Sequence, residues 1–325
     1  TNKNGILKTD EFKRTTASLN LSPGFLDNKL QVNANVKAMN SDNRFADRSA
    51  IWTANSFDPT QPIRDESSPY GGFFTWTNIE GNPNGLAPRN PVSYLEMKDD
   101  VSSVNRVISN ASIDYRLWFL EDLRANLNLG YDYSKGEGTI VIPDNAPFAF
   151  DPDPNRTGGA NNRYHQIKKN KLLEFYLNYA KELGNSNLEV MGGYSWQEFY
   201  GESGFSNNNF AMDLDPTQEV LSDTIPYDDH LVSLFGRLNY TIADKYLITA
   251  TLRRDGSSRF SKDTRWGLFP AVALGWKIIE GKSGNLNSLK LRAGWGVTGQ
   301  QEIGNRHPYL PLYKFGQDNA QYQFG

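Results

Sequence analysis

Several features of soluble enzymes and of helical membrane proteins are missing from this 325-residue sequence. It contains no cysteine, which excludes thiol catalysis, disulfides and cysteine-based zinc sites. No stretch approaches the ~20 consecutive apolar residues of a membrane-spanning helix. The net charge is −3, whereas a nucleic-acid-binding protein needs a basic surface. The three histidines, His165, His230 and His307, are scattered singly, so their spacing predicts neither a zinc cluster nor a catalytic triad.

Alternation of apolar and polar residues with a period of two is abundant and is typical of β-strands. The clearest case runs from Leu30 to Ala38, where Leu, Val and Ala alternate with Gln, Asn and Lys. Comparable patterns predict about ten strands, each near or above the ~9–11 residues that a tilted strand needs to cross a bilayer. These strands are predicted at residues 11–21, 30–38, 106–119, 123–133, 171–179, 188–196, 232–242, 246–254, 266–278 and 289–297.

The predicted connections alternate between short and long. Tight turns at 23–28, 120–122, 184–187 and 243–245 alternate with long segments at about 40–101, 134–165 and 199–230. This rhythm places all long loops at one end, as in outer-membrane barrels with short periplasmic turns and long extracellular loops. The sequence therefore predicts an all-β fold, an antiparallel up-and-down transmembrane β-barrel.

Charge decides which face of this barrel meets lipid. One face of the third predicted strand carries Arg106, Asp114 and Arg116. Turning such a face into hydrocarbon costs roughly 2–4 kcal/mol for each arginine near the midplane. The apolar face is therefore expected to point outward and the polar face to line a wet lumen.

Three stretches between residues 234 and 304 resemble the signature strands of the SusC/RagA-like family of TonB-linked outer-membrane proteins. They are LFGRLNYTIADKYLITATLRRDGSSRF, RWGLFPAVALGWKI and LKLRAGWGVTGQQEIGN. Earlier stretches are similar to the family as well: NGILKTDEFKRTTASLNL, FDPTQPIRDE and NPVSYLEMKDDVSSVNRVISNASIDYRLWF. The similarity covers most of the chain in the family's order, and the long loops are what chiefly depart from it.

The resemblance implies a TonB-dependent transporter in the outer membrane of a Gram-negative bacterium, with a plugged barrel of about 22 strands. It also implies a SusD-like surface lipoprotein and TonB as partners, and import of a nutrient, foremost an oligosaccharide or other glycan. About ten strands cannot close such a barrel. Residues 1–325 are therefore expected to form part of it, with the plug domain, the TonB-contacting segment and C-terminal strands elsewhere.

Other functions stay open at this point. The same family mechanism would serve peptide import, and the same architecture would serve a surface barrel that binds or adheres without transporting. An enzyme is disfavoured, and no resident cofactor is expected. No helix is expected to follow the formal GxGxxG motif at Gly294–Gly299, as a dinucleotide site would require. We therefore interpret its glycines as relieving crowding in a strand and its exit.

The longest loop contains the best candidates for ligand contact, an aromatic group interleaved with glycines: Tyr70, Phe73, Phe74 and Trp76. Flat sugar faces pack on aromatic rings, and functional contacts concentrate on loops held by a rigid scaffold. The alternative is a small hydrophobic cluster that packs the loop or docks a partner. Trp196, Tyr194 and Trp266 are expected instead in the aromatic girdles at strand ends.

A dense charge group marks the end of another predicted strand: Arg253, Arg254, Asp255 and Arg259. One interpretation is an electrostatic site on the lumen or rim for the plug or a polar ligand. The other is a solvated hairpin tip with local ion pairs, which usually contribute little.

Asp151, Asp153 and Asn155 alternate like the start of a calcium loop, but Arg156 stands where an EF-hand needs glycine. A solvated loop is the better interpretation, and a loop calcium site remains an alternative.

Overall fold

The structure, a computed structural model, describes residues 1–153, 158–206, 208, 226–283, 286–302, 304, 306 and 309. Within these residues, one antiparallel sheet of twelve strands follows chain order, with β3 paired only to β4. Two short helices, α1 (Ser49–Ser56) and α2 (Pro91–Met97), lie in the connection between β4 and β5. The strands are β1 (Asn2–Asn4), β2 (Glu11–Leu21), β3 (Gly24–Phe25), β4 (Leu30–Arg44), β5 (Asp99–Arg116), β6 (Leu123–Ile142), β7 (Ala160–Leu183), β8 (Ser186–Phe205), β9 (Tyr227–Ile242), β10 (Tyr246–Ser257), β11 (Trp266–Ser283) and β12 (Leu286–Gly296).

All ten predicted strands are present, and only the short β1 and β3 are additional. The connections also sort as predicted, with every long connection at one end of the sheet. The fold is therefore the predicted all-β, antiparallel up-and-down wall. Among the described residues the sheet does not close, since β1 and β12 each have a neighbour on one side only.

Strand length is where the prediction was wrong. β6, β7 and β8 contain 20, 24 and 20 residues and extend far into the segments predicted as loops. Unbroken cross-strand pairing runs from Leu123↔Tyr179 to Ile142↔Ala160. In β7, the alternation of apolar and polar residues is absent before about Lys171, because both faces are polar there. The backbone pairing between the strands nevertheless continues.

The apolar residues form an outward-facing band, as predicted. Directly paired residues share a face of a sheet, and rows such as Tyr240, Ile248 and Leu274 or Leu238, Ala250 and Val272 run across β9, β10 and β11. Many of these large apolar side chains are exposed, as a lipid-facing surface requires. On β11 the band runs from Trp276 to Trp266. At ~3.3 Å per residue and a tilt of ~40°, these ten steps span about 25 Å, the height of the apolar band of outer-membrane barrels.

The opposite face of the wall is polar and partly held together by ion pairs. Arg106 donates from Nε and Nη2 to the two oxygens of Asp132 at 2.8 and 2.6 Å. Arg124 donates to Asp114 Oδ1 at 3.0 and 2.6 Å. These pairs show that the charged residues of β5 and β6 share the face of the wall opposite the apolar band. No helix among the described residues is both long and apolar enough to span a membrane.

Aromatic rings cover glycines at the end of the wall that carries the long connections. The Tyr164 ring lies over Gly138, its direct partner across β6 and β7, and donates a hydrogen bond to Asp100 Oδ1 at 3.0 Å. Tyr227 covers Gly201 in the same way. A Cβ on either glycine would lie within 2.3 Å of the ring. These glycines therefore let the rings lie flat and stiffen strands that project beyond the membrane.

Candidate functional site

The connection between β4 and β5 (residues 45–98) is a folded cap with its own small core. Asn90 is its hub: Oδ1 accepts from Val92 N at 3.1 Å, which caps α2, and Nδ2 donates to Ile63 O at 2.8 Å. Pro91 follows at the first helical position, where its missing N–H has no cost. Asn90 therefore joins α2 to the strand-like segment that carries the aromatic group.

The predicted aromatic group divides between packing and exposure. Tyr70 and Phe73 are only 5% and 2% exposed. The Tyr70 hydroxyl donates to Gly81 O at 2.7 Å, and the Arg64 guanidinium lies 4.0 Å from the Phe73 ring centre. For these two residues the geometry favours the packing alternative, because their rings are covered by the loop itself.

Phe74 and Trp76 keep part of their surface. They form an edge-to-face pair with ring centres 5.1 Å apart, and Phe57 packs against both rings at 6.4 and 5.0 Å. Both remain partly accessible. Of the four predicted contact residues, these two are the ones that could still meet a ligand.

A second long connection locks onto the cap. Tyr94 of α2 stacks on Phe148 with ring centres 4.2 Å apart, and Tyr70 meets Phe150 edge-to-face at 5.5 Å. Asn145 Nδ2 donates to Pro69 O at 3.3 Å. The connection between β6 and β7 thus packs against the connection between β4 and β5 as one surface.

Charged contacts tie the same cap to the wall. Lys8 Nζ lies 2.5 Å from Glu96 Oε1, and Arg64 pairs with the other carboxylate oxygen. The hydrogen bond from Lys8 lowers the pKa of Glu96 against the opposing effect of burial. Tyr164, on the projecting part of β7, has its pKa raised to about 12 by burial and by its bond to Asp100. Lys8 therefore links the connection between β1 and β2 to the cap, whereas the Tyr164–Asp100 bond joins two strands of the wall beside it.

The charge group at the end of β10 does not form one site. Arg253 and Asp255 share the lumen face, where Arg253 Nε donates to Asp255 at 2.7 Å and Nη2 donates to Ser233 Oγ at 2.7 Å. Arg254 lies on the outward face, with its guanidinium 4.9 Å from the Trp266 ring centre. The lumen interpretation therefore does not extend to Arg254, because successive residues of a strand point to opposite faces, and a rim position for this residue stays a prediction.

Arg259 belongs to a buried ion network that the sequence does not reveal. Its side chain is 7% exposed, and Nε donates to Asp229 Oδ2 at 3.0 Å, where Asp229 is 3% exposed. Arg306 Nη1 reaches the same oxygen at 2.7 Å while its guanidinium lies 3.3 Å from the Tyr227 ring centre. Arg259 Nη1 lies 2.8 Å from Glu302 Oε1. We call Tyr227, Asp229, Arg259, Glu302 and Arg306 the rim network.

Two members of the rim network, Arg259 and Glu302, have shifted pKa values. Burial alone would lower the pKa of Arg259, but the Glu302 hydrogen bond and the Asp229 charge together raise it. The hydrogen bond from Arg259 lowers the pKa of Glu302. The network thus joins β9, the connection after β10 and the segment after β12. Sequence separations of 30 and 77 residues explain why no local pattern could reveal it.

The remaining candidates provide no catalytic or metal geometry. Asp228 is exposed and adjacent to the buried Asp229, so the two carboxylates do not face each other across a cleft. Asp151 Oδ1 accepts from Asp153 N at 3.0 Å, an ordinary loop turn, while Asn155 and Arg156 lie outside the described residues. Among the described residues no group of three or more metal-binding side chains occurs. Gly294 and Gly296 lie in β12, as the strand interpretation of GxGxxG predicts.

A family model described as "TonB dependent receptor-like, beta-barrel" matches residues 8–321. The chain belongs to this family. It is 41% identical to the TonB-dependent receptor SusC of Bacteroides thetaiotaomicron over its whole length. It is also 29% identical, over 93% of its length, to the TonB-dependent receptor P26 of Formosa agariphila. The resemblance to SusC-like proteins is therefore confirmed, as are the outer-membrane location and the expectation that the chain is not an enzyme.

The chain spans about a third of these relatives, 34% of SusC and 30% of P26. Solved structures agree on the fold. The RagAB peptide importer in its open-open state superposes with a TM-score of 0.65 and 20% identity, covering 91% of this chain and 33% of that one. The closed-closed state gives a TM-score of 0.66. The wall described above is thus the barrel wall of a TonB-dependent receptor.

Proposed function

We propose that this chain is part of the barrel of a TonB-dependent importer that admits an oligosaccharide or other glycan through its lumen. The observation that carries the proposal is 41% identity to SusC over the entire chain, together with a wall that is apolar outside and polar inside. Such a wall has room for water and a polar solute on its inner face. The whole protein would belong to the group of receptors that use TonB, with residues 1–325 as one part of the barrel.

The projecting strands support a capture step above the membrane. β6, β7 and β8 rise beyond the apolar band, and the connection between β6 and β7 packs against the cap. A SusD-like surface lipoprotein would meet this same end, where capture must precede entry. Phe74 and Trp76 are the partly accessible aromatic rings that would contact the ligand there.

Peptide import is the second candidate, favoured by one observation: the solved structures that superpose on the wall include a peptide importer. That likeness rests on 20% identity, well below the 41% shared with SusC. Glycan import is therefore the primary proposal.

Uptake by whole cells distinguishes these functions. The full-length receptor and its neighbouring lipoprotein would be expressed in a TonB-competent Gram-negative host, and labelled oligosaccharides and peptides supplied. We expect TonB-dependent accumulation of oligosaccharide. Accumulation of peptide alone would establish the second candidate, and surface binding without accumulation would show a barrel that does not transport.

Two variants connect the structure to that assay. Trp76→Ala removes an accessible ring from the cap and should weaken capture several-fold, since aromatic stacking contributes about 0.5–1.5 kcal/mol. Trp118→Ala is the matched control, because Trp118 is 74% exposed in the turn between β5 and β6 at the opposite end. Equal losses for both variants would argue against ligand contact by Trp76.

A further inference from the structure

Cations follow the apolar residues on the outside of three strands. On β7, Leu173 is followed on the outward face, toward the long connections, by Lys171 and Lys169. The same change from apolar to cationic occurs on β6 at Lys135 and on β10 at Arg254. Residues two apart on a strand share a face, so all four cations lie on the side of the wall that meets lipid. We call Lys135, Lys169, Lys171 and Arg254 the cation belt.

Arg254 lies in a row of exposed apolar residues. Its direct partners across the sheet are Leu234 and Leu268, which are 51% and 56% exposed. A charge on the lipid face is costly near the midplane and tolerated near the interface, which the long arginine stem can reach. The guanidinium lies 4.9 Å from the ring centre of Trp266, two residues beyond Leu268 toward the long connections. Arg254 therefore directs its charge to the outer edge of the apolar band.

Two members of the belt are paired with carboxylates. Lys135 Nζ lies 2.5 Å from Glu137 Oε1, two residues farther along β6. Lys171 Nζ lies 2.8 Å from Glu198 Oε1, directly across on β8. A lysine ammonium has three N–H donors, so each pair leaves donors for a further acceptor.

The other two members lie against aromatic rings instead. Lys169 Nζ is 5.0 Å from the Tyr200 ring centre, as Arg254 is close to Trp266. Neither cation forms an ion pair within the described part of the chain. Glu202, two residues beyond Tyr200, accepts the hydrogen bond of that tyrosine hydroxyl at 2.7 Å. An aromatic ring attracts a cation without neutralising it, so both positive charges stay available to an anion.

We propose that the cation belt binds the phosphate groups of a lipid head group in the outer leaflet of the outer membrane. Lysine and arginine form strong, charge-assisted hydrogen bonds with phosphate, and clusters of them at a membrane surface recognise anionic head groups. The belt continues the surface that already meets lipid, so a lipid bound there keeps its acyl chains against the apolar band. Free phosphate would gain nothing from that continuity. The inference goes beyond the import proposal and holds for either nutrient.

The spacing of the belt fits a large, phosphorylated head group. Lys169 and Lys171 are two residues apart, or about 7 Å at ~3.3 Å per residue. Lys135 is diagonal to Lys169, because its direct partner is Ile167, and diagonal neighbours are about 7–8 Å apart. The three lysines can therefore surround one phosphate group. Arg254 lies three strands from β7, about 14 Å at ~4.8 Å per strand, where it would meet a second phosphate.

Binding of lipid A by the full-length receptor tests the proposal. The receptor would be purified from outer membranes, freed of co-purified lipid and titrated in detergent with lipid A that carries two phosphates. We expect the double variant Lys169→Gln, Arg254→Gln to bind about 30-fold more weakly, since each cation near an anionic surface contributes a factor of about five. Lipid A without phosphates should bind the unaltered receptor at least as weakly as that variant binds the phosphorylated form.

A matched double variant separates this contact from general loss of charge. Lys168→Gln, Arg237→Gln removes two cations from the lumen face of β7 and β9 and should leave the affinity unchanged. Lys169→Arg keeps the charge and should retain binding. Heat-modifiable migration on gels would verify assembly, and Arg254→Gln alone, with an expected loss of about fivefold, would replace the double variant if that failed to assemble.

Three results would overturn the proposal. The first is an equal loss of affinity in the two double variants. The second is equally tight binding of lipid A with and without its phosphates. The third is displacement of lipid A by an equal concentration of inorganic phosphate, which would assign the belt to a soluble anion.

Discussion

Replacing Arg259 by methionine should make local opening of the outer rim of the wall more frequent. The Arg259 side chain is 7% exposed and shares Asp229 Oδ2 with Arg306. Removing one partner of a buried ion pair costs about 3–5 kcal/mol, because the remaining charge is left in a poor environment. Arg306 still donates to Asp229 at 2.7 Å, so the lower value, about 3 kcal/mol, applies.

That loss should appear as local opening rather than loss of the barrel. Opening of residues 258–265 and 297–302 would become about 100-fold more frequent, since each 1.4 kcal/mol is a factor of ten. When opening is fast compared with cleavage, the proteolysis rate follows the open population. Limited digestion by subtilisin, which does not depend on arginine, would therefore measure the change in folded, detergent-purified receptor.

Arg253→Met is the matched control for this prediction. Its guanidinium is 39% exposed and pairs with Asp255 on the same strand, a type of contact that contributes about 0.2–1 kcal/mol. Cleavage should rise less than about fivefold. Asp229→Asn keeps the shape of the site and removes its charge, so it distinguishes an ionic from a packing effect. A rise below tenfold for Arg259→Met, or an equal rise for Arg253→Met, would refute the argument.

Three further perturbations test the cap and the projecting strands. Phe73→Ala should destabilise the cap by about 3–5 kcal/mol, which hydrogen exchange of residues 60–97 would detect, whereas unchanged protection would mean that the ring is not a core residue. Gly138→Ala should displace the Tyr164 ring, since a Cβ there lies 2.3 Å from it; Gly236→Ala, whose nearest contact is 3.6 Å, should be tolerated, and equal assembly yields would contradict this contrast. The pKa of Glu96 is lowered below its ordinary 4.5, so its contribution to cap stability is full above that pH and is lost as pH falls through the lowered value. Proteolysis of the cap should accordingly accelerate only below about pH 4.5, and acceleration that begins near neutrality would assign the effect to other groups.

The strands could be predicted where lipid imposes a rule. Between Trp276 and Trp266 every second residue must tolerate hydrocarbon, so alternation is strong, and the strand predicted at 266–278 begins where β11 begins and lies within it. Beyond the band both faces meet water. β7 continues for eleven residues before Lys171 with no apolar period to reveal it, because its stability there comes from backbone pairing and from rings such as Tyr164.

The charged sites were harder to predict from the sequence than the strands. Arg253, Arg254 and Asp255 are neighbours in sequence, and the two-residue period already implies that Arg254 points away from the other two. Asp229 and Arg306 are 77 residues apart and meet only because the start of β9, the connection after β10 and the segment after β12 converge at one end of the sheet. The charge group at the end of β10 looked like one site because its residues are neighbours in the sequence. The rim network was missed because its residues are far apart in the sequence.

The cap shows why aromatic residues on a long loop do not by themselves predict ligand contact. Tyr70 and Phe73 looked like ligand contacts because aromatic residues on long loops often serve that role. A loop of 54 residues between β4 and β5 must first exclude water from a core of its own, and it uses its most apolar rings to do so. The rings at the edge of that core, such as Trp76, are the ones we propose for ligand contact. A loss of binding in Phe73→Ala would accordingly report collapse of the cap, whereas a loss in Trp76→Ala with intact exchange protection would report the ligand.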